Sequence, residues 1–284
     1  MTAGRSVAER AAAKLNLRLA VGPPRADGYH PLESLMVELD GLHDDIEVMP
    51  AAARAVECPG VPERENLAWR ALDELERAVG RPLPVRVRIA KRIPARAGLG
   101  GGSSDAAAVL RAADRLFGLG LGPDRLREVG ARIGSDVPFF IAGGAAWVGG
   151  RGESVSPTRV GPFAAVIVRP PFGLSTEAVY RRFDGLGPPR PFPVRSAAPP
   201  MPALAGWVRN DLWPAALALA PGLAAPARAL AAAGARRVLL CGSGSCLAGL
   251  VTDDGEARRV AARLRGWEPV ALVAPAARAC AGPA

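Results

Sequence analysis

One stretch constrains this chain more than any other: Pro94-Ala95-Arg96-Ala97-Gly98-Leu99-Gly100-Gly101-Gly102-Ser103-Ser104-Asp105. Residues 85–89 before it alternate apolar and polar as a half-buried strand does, and Ala106, Val109, Leu110, Ala113, Leu116 and Phe117 after it share one helical face. Strand, glycine loop and helix follow one another. Four glycines in five positions let backbone N–H groups converge on a ligand, and a helix beginning at the serines adds unpaired donors and a partial positive charge. Such a loop suits a polyphosphate; the plainer alternative is a flexible linker whose serines only cap the helix. Asp105 suits the helix dipole but would repel an anion, so its side chain must turn away. A P-loop would need Lys and Ser/Thr directly after the last glycine, and neither is there. A dinucleotide fold would need G-x-G-x-x-G early in a parallel βαβ series, which the antiparallel-looking strands here do not supply.

Around the loop, periodicity predicts the other elements. Residues 13–21 alternate Lys14, Asn16 and Arg18 against Leu15, Leu17 and Leu19, a strand with Lys14 and Asn16 on one face. A turn at 22–29, strands near 32–39 and 46–49, and a helix over 65–79 stopped by Gly80 come next. After the loop helix the pattern predicts a helix over 124–133, closed by Gly134, and an apolar strand beginning at Val137. Residues 153–162, with Ser, Pro, Thr and Gly, mark a boundary between domains 1–158 and 159–284. The second half reads as a strand at 163–168, a helix at 176–183, an irregular proline-rich loop at 185–202 and helices near 211–219 and 223–233. Strands at 237–241 and 247–251 flank a turn at 242–245, and a helix at 256–264 and a strand at 269–273 end it. Helices against a mainly antiparallel sheet in each half give an α+β protein.

Composition excludes several function classes. The 284 residues suffice for two domains and a cleft. No uncharged apolar run approaches the roughly 20 residues that span a bilayer. Arg5, Glu9, Arg10 and Lys14 interrupt what would be the apolar core of a secretory signal. A soluble, cytoplasmic protein with no membrane partner is expected. Cys58, Cys241, Cys246 and Cys280 form no C-x-x-C pair and two histidines are too few for zinc spacings, so reduced thiols are the simplest expectation. The formal charge of +9 is spread over scattered arginines without a basic run or interleaved aromatics, which argues against nucleic acid as partner.

Of 36 basic residues only Lys14 and Lys91 are lysine, a hint that their sites need a compact charge rather than a planar fork. A second motif, Gly134-Ser135-Asp136-Val137-Pro138-Phe139-Phe140, sets an aspartate at a helix end. Asp136 could accept the proton of an attacking hydroxyl, and Lys14, if opposite, would polarise that hydroxyl. An aspartate there could equally be a turn former.

Read together, Ala13-Lys14-Leu15-Asn16-Leu17, Asp27-Gly28-Tyr29-His30, the loop at 94–104, residues 133–140 and Leu240-Cys241-Gly242-Ser243-Gly244-Ser245 resemble the GHMP kinase superfamily, in order and across residues 13–251. The first two motifs are similar to those of the branch acting on a cytidine diphosphate ester of methylerythritol, in the non-mevalonate isoprenoid pathway. The resemblance implies an N-terminal domain like ribosomal protein S5 domain 2, a ferredoxin-like C-terminal domain, and an active site between them. It makes Lys14 and Asp136 the catalytic pair, wraps residues 94–104 around the phosphates of ATP and sets Asn66 beside adenine. Asn16, Tyr29, His30, Thr176 and Tyr180 fall on the small-molecule substrate. Mg2+ is expected with ATP, Ser104 being a candidate contact, and a monomer or weak homodimer is expected. Plainer roles exist for several of these: Tyr29 and Tyr180 as half-buried aromatics, Asn66 and Ser175 as helix caps, residues 242–245 as a tight hairpin. Departures are few: Cys241 stands where small hydroxylated or apolar residues are common, and the proline-rich residues 185–205 do not match the family residue by residue. The rival readings are a homoserine or mevalonate kinase of the same superfamily, or a non-catalytic nucleotide-binding protein.

Overall fold

In the computed structural model, which describes residues 6–276, eleven strands form one connected hydrogen-bonded array with helices packed on it. Cys280 lies outside the described residues. The strands are β1 (Val7–Val21), β2 (Leu32–Pro50), β3 (Ala55–Glu57), β4 (Val85–Ala90), β5 (Ala145–Gly150), β6 (Ser154–Pro157), β7 (Ala164–Val168), β8 (Arg209–Asn210), β9 (Arg237–Leu240), β10 (Leu247–Val251) and β11 (Pro269–Pro275). The α-helices are α1 (Leu67–Val79), α2 (Gly101–Phe117), α3 (Gly122–Ala131), α4 (Val137–Ala142), α5 (Thr176–Asp184), α6 (Ala203–Trp207), α7 (Trp213–Leu219), α8 (Ala224–Ala233) and α9 (Asp254–Arg263).

The long strand β2 is the spine. It pairs with β1 antiparallel along its length, while β5, β11 and β4 share its other edge in succession. Strand β11 also pairs with β7, which continues through β10 to β9, so chain from the C-terminal end joins the two halves. Among the described pairings only β1 with β8 and β3 with β4 are parallel. Register shifts in β1 between Ala12 and Ala13 and between Asn16 and Arg18 bracket Lys14 and Asn16, the kind of irregularity that re-aims side chains near functional sites.

Helix α1 shows why the sequence folds locally as it does. Ala68, Ala71, Leu72 and Leu75 recur at helical spacing and are all buried, each leucine contributing about 1.5–3 kcal/mol. Asn66 caps its start and Gly80, in the left-handed region, closes it through an N–H to the Glu76 carbonyl. One apolar cluster lies under α1 and α2, a second under α5, α7 and α8, and a third joins Leu15, Leu17 and Leu35 to Ile167, Ala248 and Val273.

The expected strand at Val137 is a helix, α4; the strand begins at Ala145. A six-residue apolar run carries no period that separates helix from strand, and Pro138 in the first turn, where no N–H is needed, favours the helix. Short elements without a pattern of their own, β3, β6, β8 and α6, were also beyond periodicity. No single described helix is long and apolar enough to cross a membrane.

Candidate active site

The glycine loop is pinned from both sides. The Lys14 N–H donates to the Leu99 carbonyl (3.0 Å), and the Cys246 N–H to the Ala97 carbonyl (3.2 Å). A Cβ on Gly98 (φ +75°) would sit 1.7 Å from the Cys241 carbonyl oxygen, so only glycine lets loop and hairpin touch. Helix α2 starts at Gly101, two residues before the serines, with Gly100 as its N-cap in the left-handed region. This corrects the expected start: the Ser104 N–H already donates to Gly100 (2.9 Å), and glycines in the first turn leave its free N–H groups uncovered. Ser103 lines the adjoining cleft of about 1220 Å3; Ser104 is buried and does not line it.

Asp105 does turn from the loop, onto Lys91. The Lys91 Nζ donates to Asp105 Oδ2 (2.7 Å) and Asp44 Oδ2 (2.5 Å), and Asp44 Oδ1 accepts from the Ile93 N–H (2.8 Å). Burial pushes the Asp105 carboxyl up to about 7 against the pull of Lys91. Burial also opposes the Lys91 charge, but Asp105 and Asp44 outweigh it and raise its pKa. One ammonium thus serves two buried carboxylates beneath the helix N-terminus, and Asp105 Oδ1 has no hydrogen-bond partner among the described residues.

Lys14 and Asp136 meet in the cleft, Nζ to Oδ2 3.6 Å. Lys14 is 4% exposed and its Nζ donates to Asn16 Oδ1 (2.6 Å); Asn16 Nδ2 donates to Ser34 Oγ (2.8 Å), which donates to the Arg18 carbonyl (2.7 Å). This chain fixes the ammonium. Gly100 brings the loop against Lys14, since a Cβ there would lie 2.9 Å from Lys14 Cγ. Asp136 precedes α4 but does not cap it, leaving its carboxylate to Lys14. An ion pair beside a cradle of backbone N–H groups can hold a phosphate chain and take a proton from a neighbouring hydroxyl.

The expected small-molecule residues line the same cleft. Tyr29 is 51% exposed, with the Arg151 guanidinium 4.0 Å above its ring. His30 Nδ1 lies 2.9 Å from the Gly22 carbonyl and Nε2 3.4 Å from Asp184 Oδ1; its ring leans on Tyr180 (5.2 Å). Burial, then the Asp136 charge, pushes the Tyr180 phenol up to about 12. Thr176 shares a hydrogen bond with Ser243 (2.9 Å), tying α5 to the 242–245 turn. Asn66 Oδ1 accepts from the Ala68 N–H (2.9 Å), the capping role, while the residue still lines the cleft. Ser175 caps α5 in the same way.

Sequence reasoning missed Asp44, Ser34, Asp184 and Arg151. It also missed Asn210, whose Nδ2 donates to the carbonyls of Leu240 (2.9 Å) and Gly242 (2.7 Å). No local pattern announces them; they reach the site through pairings distant in sequence. The isolated Lys91 was the one signal that pointed to the carboxylate pair.

The family model for the GHMP kinases N terminal domain matches residues 66–144. The 4-diphosphocytidyl-2-C-methyl-D-erythritol kinase of Streptomyces coelicolor is 42% identical, covering 98% of each chain, and that of Pelotomaculum thermopropionicum 41%, covering 93% of this chain and 95% of its own. A crystal structure of 4-(cytidine 5'-diphospho)-2C-methyl-D-erythritol kinase superposes with a TM-score of 0.78 at 36% identity, over 95% of this chain and all of that one. The mevalonate kinase of Methanococcus jannaschii shares the fold alone, with a TM-score of 0.66 at 11% identity over 98% of this chain and 99% of its own. By fold, motif order and near full-length identity, the chain belongs to the 4-diphosphocytidyl-2-C-methyl-D-erythritol kinase family of the GHMP kinases.

Proposed function

We propose that this chain transfers the γ-phosphoryl group of ATP to the 2-hydroxyl of 4-diphosphocytidyl-2-C-methyl-D-erythritol, in the non-mevalonate route to isoprenoid precursors. The observation that carries the reading is the Lys14–Asp136 pair set against the glycine loop. Asp136 accepts the hydroxyl proton, and Lys14, fixed by Asn16, orients that oxygen and offsets charge on the transferring group. The loop from Pro94 to Ser103 and the N–H groups opening α2 hold the phosphates, with Asn66 at the adenine end. Tyr29, His30 and Tyr180 take the cytosine, and Thr176 a polar contact beside it.

Mg2+ fits the donors present, because a small hard cation keeps most of its ligands as water and phosphate oxygen and asks little of the protein. Ser103, whose residue lines the cleft, is the candidate contact. When bound, the ion would neutralise charge on the bridging phosphates. We place the domain division between 158 and 159. The three described cysteines are unpaired, which favours a reducing cytoplasm. No nucleic acid, membrane or obligate partner is needed for this reading.

Coupled detection of ADP release tests it. The cytidyl compound should be turned over and CDP should compete with it, while homoserine and mevalonate are inert. Faster turnover of either of those alcohols would overturn the substrate assignment.

A further inference from the structure

A nucleoside diphosphate ester brings a polyanion into the cleft, separate from the phosphates of ATP, and something must neutralise it. The cations that line the cleft are Lys14, Lys91, Arg96, Arg151 and Arg181. Lys14 is committed to Asn16 and Asp136, Lys91 to Asp44 and Asp105, and Arg181 to Glu177. Arg96 belongs to the ATP loop, with its Cβ and Cδ against Gly173. That leaves Arg151, whose guanidinium has no carboxylate partner among the described residues. Even Glu153, two positions on, is folded back onto the Arg151 backbone N–H (2.6 Å).

Arg151 is also well placed. Its turn joins β5 to β6 and is pressed onto the segment carrying the proposed base, for a Cβ on Gly152 would lie 2.2 Å from the Ser135 carbonyl oxygen. From there the side chain reaches Tyr29, at the nucleobase end, and stacks on its ring at 4.0 Å. Stacking uses the face of a guanidinium and leaves its in-plane N–H donors free, in the fork that matches phosphate oxygens. Arg151 can therefore hold Tyr29 and grip an anion at the same time.

We propose that Arg151 is the residue that binds the diphosphate of the substrate, edge-on, from its seat on Tyr29. The assignment rests on the cytidyl-diphosphate reading above. It makes Arg151 a specificity residue that distinguishes a nucleoside diphosphate ester from an uncharged nucleoside.

Inhibition by CDP and by cytidine, measured on wild type, Arg151→Ala and Arg151→Lys, tests this. Losing charge-assisted hydrogen bonds should weaken CDP and raise the KM of the cytidyl substrate by roughly 10- to 100-fold in Arg151→Ala. Cytidine inhibition and the KM for ATP should stay within about twofold, and Arg151→Lys should recover part of the loss. Equal weakening of CDP and cytidine would mean that Arg151 only supports Tyr29, and an unchanged CDP constant would mean that it binds nothing; either result overturns the proposal. Absence of CDP competition in the wild type would overturn the functional reading along with it, whereas normal wild-type competition with an unaffected Arg151→Ala would remove the arginine's role alone.

Discussion

Lys14 and Lys91 show how much a single residue can carry here. In a chain that otherwise uses arginine, both lysines lie in the cleft, each a compact ammonium shared between oxygens of two different side chains rather than a planar fork on one carboxylate. That much was legible in composition. The carboxylates they meet were not, because Asp44 and Asp105 are brought together by β2 and α2, far apart in sequence. The Lys91 cluster predicts a pH effect on stability. The unfolded Asp105 carboxyl titrates near ~3.9 and the folded one at about 7, so between these values the native state holds a proton the unfolded state has lost. That stabilisation is complete at acid pH and is lost as pH rises through 7, by at most about 1.4 kcal/mol per pH unit. Asp105→Asn should abolish this slope. Urea unfolding at about pH 5 and about pH 8 should show wild type losing stability relative to the variant on going up, and parallel changes in the two proteins would count against it.

At the scale of elements, the glycine loop and the 242–245 turn work as one unit, since Gly98 touches Cys241 where no side chain fits. Gly98→Ala should cost about 2–4 kcal/mol through overpacking and left-handed strain, and depress activity with it. Gly60→Ala, with the same kind of φ but open space, should cost about 1 kcal/mol; thermal unfolding of both measures the contrast. Asn66 has two candidate duties, cap and nucleotide contact. Asn66→Ser keeps a cap oxygen and removes the amide, so an undiminished melting temperature with a raised ATP KM assigns the contact, and no change in KM assigns the cap alone. Most long elements were legible because their period is sustained; α4 was not, since six apolar residues fit helix and strand alike.

At the scale of the molecule, the α+β character followed from periodicity and the family from motif order, but the connection between the halves followed from neither. It depends on β11 pairing with both β2 and β7, a relation between strands far apart along the chain. The apolar cluster spanning both halves predicts that they unfold together. Leu17→Ala should cost about 2–5 kcal/mol, and near-UV and far-UV circular dichroism should report one shared transition for wild type and variant; non-coincident transitions would reveal a partly folded intermediate and count against unfolding as one unit. The claim beneath all of this is that the Lys14–Asp136 pair performs the proton transfer beside a phosphate held by the loop. Turnover and ATP affinity of Asp136→Asn test it most directly. In this variant kcat should fall about 10²- to 10⁴-fold with ATP affinity within about threefold of wild type; phosphorylation of the cytidyl substrate at the wild-type rate would rule out Asp136 as the base.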